Sequence, residues 1–181
     1  MENCEQMKGL SVLGHGVMVC QYFDDLYNHL NNGEPLQYEW KLPEWLVENK
    51  EMIIDSLMDL DIVRCYLVYH DCGKPYCRTV DHEGKQHFPN HAKVSKEKWL
   101  EIDRDTDVAN LIGMDMDIHL LKDVGCPEFA KRKEAITLLI AGLSEIHANA
   151  SMFGGIDSTS FKMKWKQISK RGKKIMALKA S

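Results

Sequence analysis

The sequence predicts an all-α protein. Apolar residues recur at spacings of three and four over most of the chain, the mark of helices that bury one face. Breaker clusters such as Asn31-Asn32-Gly33 and Gly73-Lys74-Pro75 punctuate these stretches. No series of parallel-strand patterns with Gly-rich phosphate loops is present.

Residues 8–30 place Leu10, Leu13, Val17, Cys20, Phe23, Leu26, Tyr27 and Leu30 on one helical face, and Asn31-Asn32-Gly33 ends that helix. Residues 34–49, with Pro35 and Pro43, read as an irregular segment pinned to the body by Trp40 and Trp45. Residues 50–70 read as one helix whose wide apolar face (Ile53, Ile54, Leu57, Leu60, Val63, Leu67, Val68) suits a central position. Gly73 and Pro75 stop it, because Gly permits left-handed geometry and Pro cannot continue the ladder. Residues 76–90 read as a loop or short hairpin around Asp81-His82-Glu83-Gly84-Lys85. A helix restarts with Asn90 as N-cap and runs to Ile102. Further helices are expected over 105–119, from Pro127 to Ala150, and over 160–178.

The chain has 181 residues, a length that suits one domain. No run approaches the roughly 18 uncharged apolar residues of a membrane span. The opening Met1-Glu2-Asn3-Cys4-Glu5 is acidic and lacks the apolar core of a signal peptide, so we expect a cytoplasmic setting and no membrane partner. Six cysteines occur without a Cys-x-x-Cys pair, and they are expected to be free thiols. The net charge of −4 hides an asymmetry: residues 158–181 hold eight Lys or Arg and no acid, leaving 15 basic against 27 acidic residues elsewhere. A basic tail on an acidic body fits weak contact with a nucleic acid better than a wide nucleic-acid surface.

Chemistry concentrates around His70-Asp71. Adjacent helical residues point about 100° apart, so both side chains reach one metal only where a helix ends, as Gly73 and Pro75 dictate here. Imidazole with carboxylate suits a divalent ion such as Mn, Co, Ni, Mg, Zn or Fe. The stretch Leu67-Val68-Tyr69-His70-Asp71-Cys72-Gly73-Lys74-Pro75 is an apolar helix delivering His-Asp into a Gly-Lys-Pro turn. It is followed, after a loop, by Phe88-Pro89-Asn90-His91-Ala92-Lys93-Val94-Ser95. Together these resemble the HD superfamily of metal-dependent phosphohydrolases, most of all the HD domains appended to bacterial CCA-adding tRNA nucleotidyltransferases. The resemblance covers residues 10–155 and is clearest over 67–95. It implies an HD helical bundle over 1–157, with a basic C-terminal helix or tail, 158–181, packed on it.

The resemblance implies metal ligands from His15 on the first helix, from His70 and Asp71, and from an acid in the long late helix. The family has Asp at that last position, whereas Leu139–Ala150 here contains none. Glu145 is the expected substitute, with His147 as the other candidate. His91, Asp115 and His119 are implied as a second metal or phosphate site; Asp115 and His119, four apart, share a face on a helix. Lys74, Arg78 and Lys93 are candidate phosphate contacts. Phosphoester hydrolysis needs an activated water, charge neutralisation and help for the leaving oxygen. A divalent metal serves the first two, Asp71 would steer the water, and His91, His119 or Lys74 would assist at the phosphoryl group.

The expected substrate is a nucleotide or an RNA-end phosphoester, as a phosphomonoester or a 2′,3′-cyclic phosphodiester. Lys162, Lys164, Lys166, Lys170, Arg171, Lys173 and Lys174 would lend weak RNA contact, with Met163, Trp165, Ile168, Ile175 and Leu178 docking the tail. Two alternatives belong to other classes: an HD-fold di-iron oxygenase, and a catalytically degenerate HD binding module.

Overall fold

The computed structural model describes residues 1–7 and 9–180. Lys8 and Ser181, at the outer ends of the expected first helix and the basic tail, lie outside the described residues. Most of the chain is helical, as the periodicity requires.

The first helix starts later than its apolar pattern. Glu5–Met7 (β1) and Leu10–Ser11 (β2) pair as a small antiparallel hairpin. α1 then runs over Val12–Asn32. Ser11 caps it by accepting a hydrogen bond from the Gly14 N–H, and Gly33 ends it at φ 71°. The irregular segment that follows folds back over α1. The Asp25 carboxylate accepts from the Gln37 and Tyr38 N–H groups and from Trp40 Nε1 at 2.8, 3.2 and 2.9 Å. The short α2, Glu44–Glu48, buries Trp45.

The helix expected over 50–70 is two helices, α3 (Lys50–Ser56) and α4 (Leu60–Tyr69). Asp59 breaks it, because its side chain accepts from the Asp61 and Ile62 N–H groups and starts a new helix. The freed Met58 N–H donates to Thr137 Oγ1. After α5 (Lys74–Cys77), Thr79–Val80 (β3) and Gln86–His87 (β4) form the short hairpin. α6 (His91–Ile102) matches its expected range, although Asn90 sits at φ 55° and makes no capping bond. The 105–119 stretch divides into α7 (Thr106–Met114) and α8 (Asp117–Leu120). The stretch after Pro127 divides into α9 (Cys126–Ala130) and α10 (Ala135–Met152). α11 spans Thr159–Lys179.

α10 is the central element. Almost every residue from Ala135 to Ala150 is buried, so it meets neighbours on all sides. α1, α8, α9 and α11 pack on it, while α4 lies between α1 and α7, and α6 packs on α7. α11 docks through Phe161, Ile168, Gly172, Ile175 and Met176. Met163 and Leu178, expected among its anchors, are exposed instead, since they lie off that face. No helix among the described residues is long and apolar enough to cross a membrane.

Candidate metal centre

Three elements meet at one buried cluster. α1 brings His15, the C-terminal end of α4 brings His70 and Asp71, and α10 brings Glu145. One ligand atom each of His15, His70 and Glu145 lies within 4.8 Å of the other two. Asp71 Oδ2 is 3.2 Å from His70 Nε2 and 3.9 Å from His15 Nε2. The close crossing of α1 and α4 depends on Gly16. A Cβ there would stand 2.1 Å from the Val68 carbonyl oxygen, so only glycine lets the backbones meet beside His15 and His70.

The donor set fits a divalent cation on a specific observation. Both ring nitrogens of His15, Nε2 of His70 and Oδ1 of Asp71 are buried without a hydrogen-bond partner. Such atoms carry a desolvation cost that a cation would relieve. His70 is oriented for it: Nδ1–H donates to the Leu67 carbonyl at 2.7 Å, which turns Nε2 toward the cluster. Two imidazoles with carboxylates suit borderline or hard divalent ions.

The electrostatics agree. Burial, together with the charge of His70, pulls His15 down to about 4, so it is the neutral imidazole that a ligand must be. Burial also opposes charge on His70, but Asp71, Asp115 and Glu145 outweigh it and hold His70 protonated, at about 10. Burial disfavours charge on Asp71, yet His70 and Lys74 keep it far below the usual carboxylate range. Glu145 is lowered likewise, against burial, by His119, His70 and His15. Three carboxylates thus gather positive charge into the centre, where a divalent cation would displace the proton of His70.

The remaining expected residues surround this cluster. Lys74, 8% exposed, donates from Nζ to Asp71 Oδ2 at 2.5 Å and to Gln6 Oε1 at 3.0 Å. His91 donates from Nδ1 to the Phe88 carbonyl at 3.1 Å and turns Nε2 toward Asp71 Oδ1, 3.7 Å away. Asp115 is buried and accepts from the Tyr66 hydroxyl at 2.7 Å; burial first, then Glu145 and Asp71, raise its pKa. His119 Nε2 meets Glu145 Oε2 at 2.8 Å. His91, Asp115 and His119 do not form a second convergent group among the described residues, because each is directed at a member of the first cluster or at Tyr66. The helix break at Asp115 and Met116 also removes the shared face expected of Asp115 and His119. Arg78 is exposed, and Lys93 is exposed and faces Glu97 at 3.9 Å.

Between the two candidates on α10, the geometry selects Glu145. His147 donates from Nδ1 to the Leu143 carbonyl at 2.7 Å and accepts at Nε2 from the Lys41 N–H at 3.1 Å. Both of its nitrogens are spent on holding the segment before α2.

Sequence reasoning missed Tyr66, Gln6 and Asn149, and it took Ser95 only as the end of the 88–95 motif. Ser95 Oγ accepts from the Gly73 N–H at 2.8 Å and its carbonyl accepts from the Cys72 thiol, which fixes the turn after His70-Asp71. The apolar company of Tyr66 on α4 gives no sign of its hydroxyl partner 49 residues away. The chain matches no family model, no curated protein and no solved structure.

Proposed function

We propose that this chain is an HD-type metal-dependent phosphohydrolase that cleaves the phosphoester of a nucleotide or an RNA end. The observation that carries the reading is the convergence of His15, His70 and Glu145, flanked by Asp71, with buried nitrogens that lack a hydrogen-bond partner. These four residues would hold a divalent cation, which would supply Lewis acidity at a phosphoryl oxygen and make water a better nucleophile at neutral pH.

The chain's own groups do the rest. In hydrolysis a water oxygen bonds to phosphorus, the ester P–O bond breaks, and the leaving oxygen gains a proton. Lys74 holds one oxygen of Asp71, so the other, Oδ1, stays free to ligate or to orient water. His119 is raised above its ordinary value, because the Glu145 carboxylate outweighs burial, and it therefore carries a proton to offer. His91 is the second candidate donor and stands on the partly open side of the cluster. The walls around Asp71 and His70 are buried, which strengthens each of these interactions.

The test is metal-dependent phosphate release. Metal-stripped protein receives Mg, Mn, Co, Ni, Zn or Fe in turn, then nucleoside monophosphates, 2′,3′-cyclic nucleotides and 2′-phosphorylated RNA ends, with Asp71→Ala as control. Turnover that disappears in the control is the expected result. Dioxygen consumption by an iron-loaded form without phosphate release would replace hydrolysis with oxygenation. Neither metal binding nor turnover would leave a binding module.

A further inference from the structure

α11 runs antiparallel to α10, and two contacts set the register. A Cβ on Gly142 would lie 3.2 Å from Ile168 Cδ1 and 3.4 Å from His119 Cε1, so α10, α11 and His119 meet at that level. Further along α10, His147 packs edge-on against Phe161, their ring centroids 4.9 Å apart. Between Ile168 and Phe161 lies Lys164, one helical turn from Ile168 on the same side of α11. Its counterpart on α10 is therefore the Glu145 level. Lys164 also lines a cavity with Ile146, Asn149 and Phe161, within one turn of α10 beyond Glu145. Asn149 Nδ2 in turn donates to Glu145 Oε1 at 3.3 Å.

Four of the eight cations of α11 are already used. Lys162 pairs with Asp157 at 3.0 Å, and Lys170 with Asp123 at 2.6 Å. Arg171 donates to the Leu121 carbonyl and Lys174 to the Asp123 carbonyl. At the centre itself Lys74 is spent on Asp71 and Gln6. Lys164 is exposed and has no ion-pair partner among the described residues. A phosphate anion approaching the three carboxylates of the centre needs a cation that is free to meet it.

We infer that Lys164 is a substrate-binding residue, an ammonium on the C-terminal helix that meets the substrate's terminal phosphate beside the His119–Glu145 pair. The inference rests on the hydrolase reading for its substrate, but not for its test. α11 is then a wall of the site and not an appended tail.

The test uses the full metal-loaded chain with Lys164→Gln, Lys164→Arg and Lys179→Gln. Lys179 removes the same charge from the same helix at a distance of roughly 22 Å, 15 residues along, beyond the screening length of about 8 Å. Inorganic phosphate binding is measured by calorimetry, and KM and kcat on a nucleoside monophosphate and on a 2′-phosphorylated RNA end. The expected result is about a tenfold weaker phosphate affinity and a KM raised by the same factor in Lys164→Gln, partial recovery in Lys164→Arg, and no change in Lys179→Gln. Metal affinity stays at the wild-type value in all three. Equal phosphate affinity in Lys164→Gln and wild type overturns the inference, and so does equal weakening in Lys179→Gln or a wild type that binds no phosphate. A wild type that binds phosphate but releases none from any substrate refutes the hydrolase reading alone, and the affinities still decide the role of Lys164. A KM effect on the nucleotide alone or on both substrates upholds the inference and tells a small-molecule source from an RNA end.

Discussion

His119 Nε2 and Glu145 Oε2 stand 2.8 Å apart, and they join α8 to α10 at the edge of the buried cluster. Glutamate has one more rotatable bond than aspartate, and this contact, with Asn149 on the other oxygen, removes the freedom that the longer arm brings. His119→Ala should therefore weaken metal binding about 10–100-fold, the usual effect of losing a group that orients a ligand. Asn149→Ala should cost less, because its 3.3 Å bond is long. Metal titration with far-ultraviolet circular dichroism measures both. An unchanged metal affinity in folded His119→Ala would remove Glu145 from the ligand set.

His70→Ala and Asp71→Ala should each abolish metal binding and phosphate release while the helical signal stays near that of the wild type. Their stabilities should differ. Asp71→Ala leaves the buried Lys74 ammonium without its carboxylate, which costs about 3–5 kcal/mol. His70→Ala removes a group that is itself charged only through its acidic neighbours, so its melting temperature should fall less. Full activity in either variant would sink the metal assignment.

Gly16→Ala should damage the centre without touching a ligand. The added methyl would sit 2.1 Å from the Val68 carbonyl oxygen and 3.1 Å from that of Leu67, both backbone atoms, so α1 must move away from α4. Overpacking of this kind costs about 1–3 kcal/mol, and it separates His15 from His70. Gly14→Ala is the control, because there the nearest atom is a terminal carbon of the flexible Leu10 side chain. Urea unfolding and metal titration should both shift in Gly16→Ala and barely move in Gly14→Ala; matching behaviour of the pair would refute the crossing argument.

Deleting α11 is a poor test of its basic charge. Phe161, Ile168, Ile175 and Met176 are all buried, each worth about 1.5–3 kcal/mol. Their sum rivals the whole net stability of an ordinary domain, about 5–15 kcal/mol. Removing residues 160–181 should therefore unfold the chain, seen as loss of the cooperative thermal transition. A truncated form that melts cooperatively near the wild-type temperature would return α11 to the status of a detachable tail.

The helical class and the His70-Asp71 helix end were legible because both rest on local pattern, whereas His15 and Glu145 were implied only by the family resemblance. Period-3.6 apolar spacing sets α1, α4 and α10, and a His-Asp pair before Gly and Pro marks a helix end with chemistry on it. The helix breaks were not legible. Asp59 reads as one more polar position on an exposed face until its side chain is seen capping Asp61 and Ile62. Glu145, His119 and Lys164 belong to one arrangement only because α8 and α11 both pack on α10, a relation between segments that no spacing within either one encodes. The pairing of Lys170 with Asp123, 47 residues away, is hidden for the same reason.

His147 should make stability fall in mild acid. Burial lowers its pKa to about 4, against 6.5 in the unfolded chain, and its Nε2 accepts the Lys41 N–H, which only the neutral ring can do. Below the unfolded value the unfolded state binds more protons than the folded one, so the contribution is intact above pH 6.5 and shrinks as pH falls from there to 4. The loss over that window is about 3 kcal/mol. Metal-free His15 titrates in the same direction, so the quantity to measure is the difference between wild type and His147→Gln, by urea unfolding at pH 7.5, 6, 5 and 4. Glutamine keeps an acceptor for Lys41 and does not titrate. Wild type should be the more stable at pH 7.5, with an advantage that shrinks and then reverses toward pH 4. An advantage that stays constant across the series would mean that protonation of His147 is not coupled to folding.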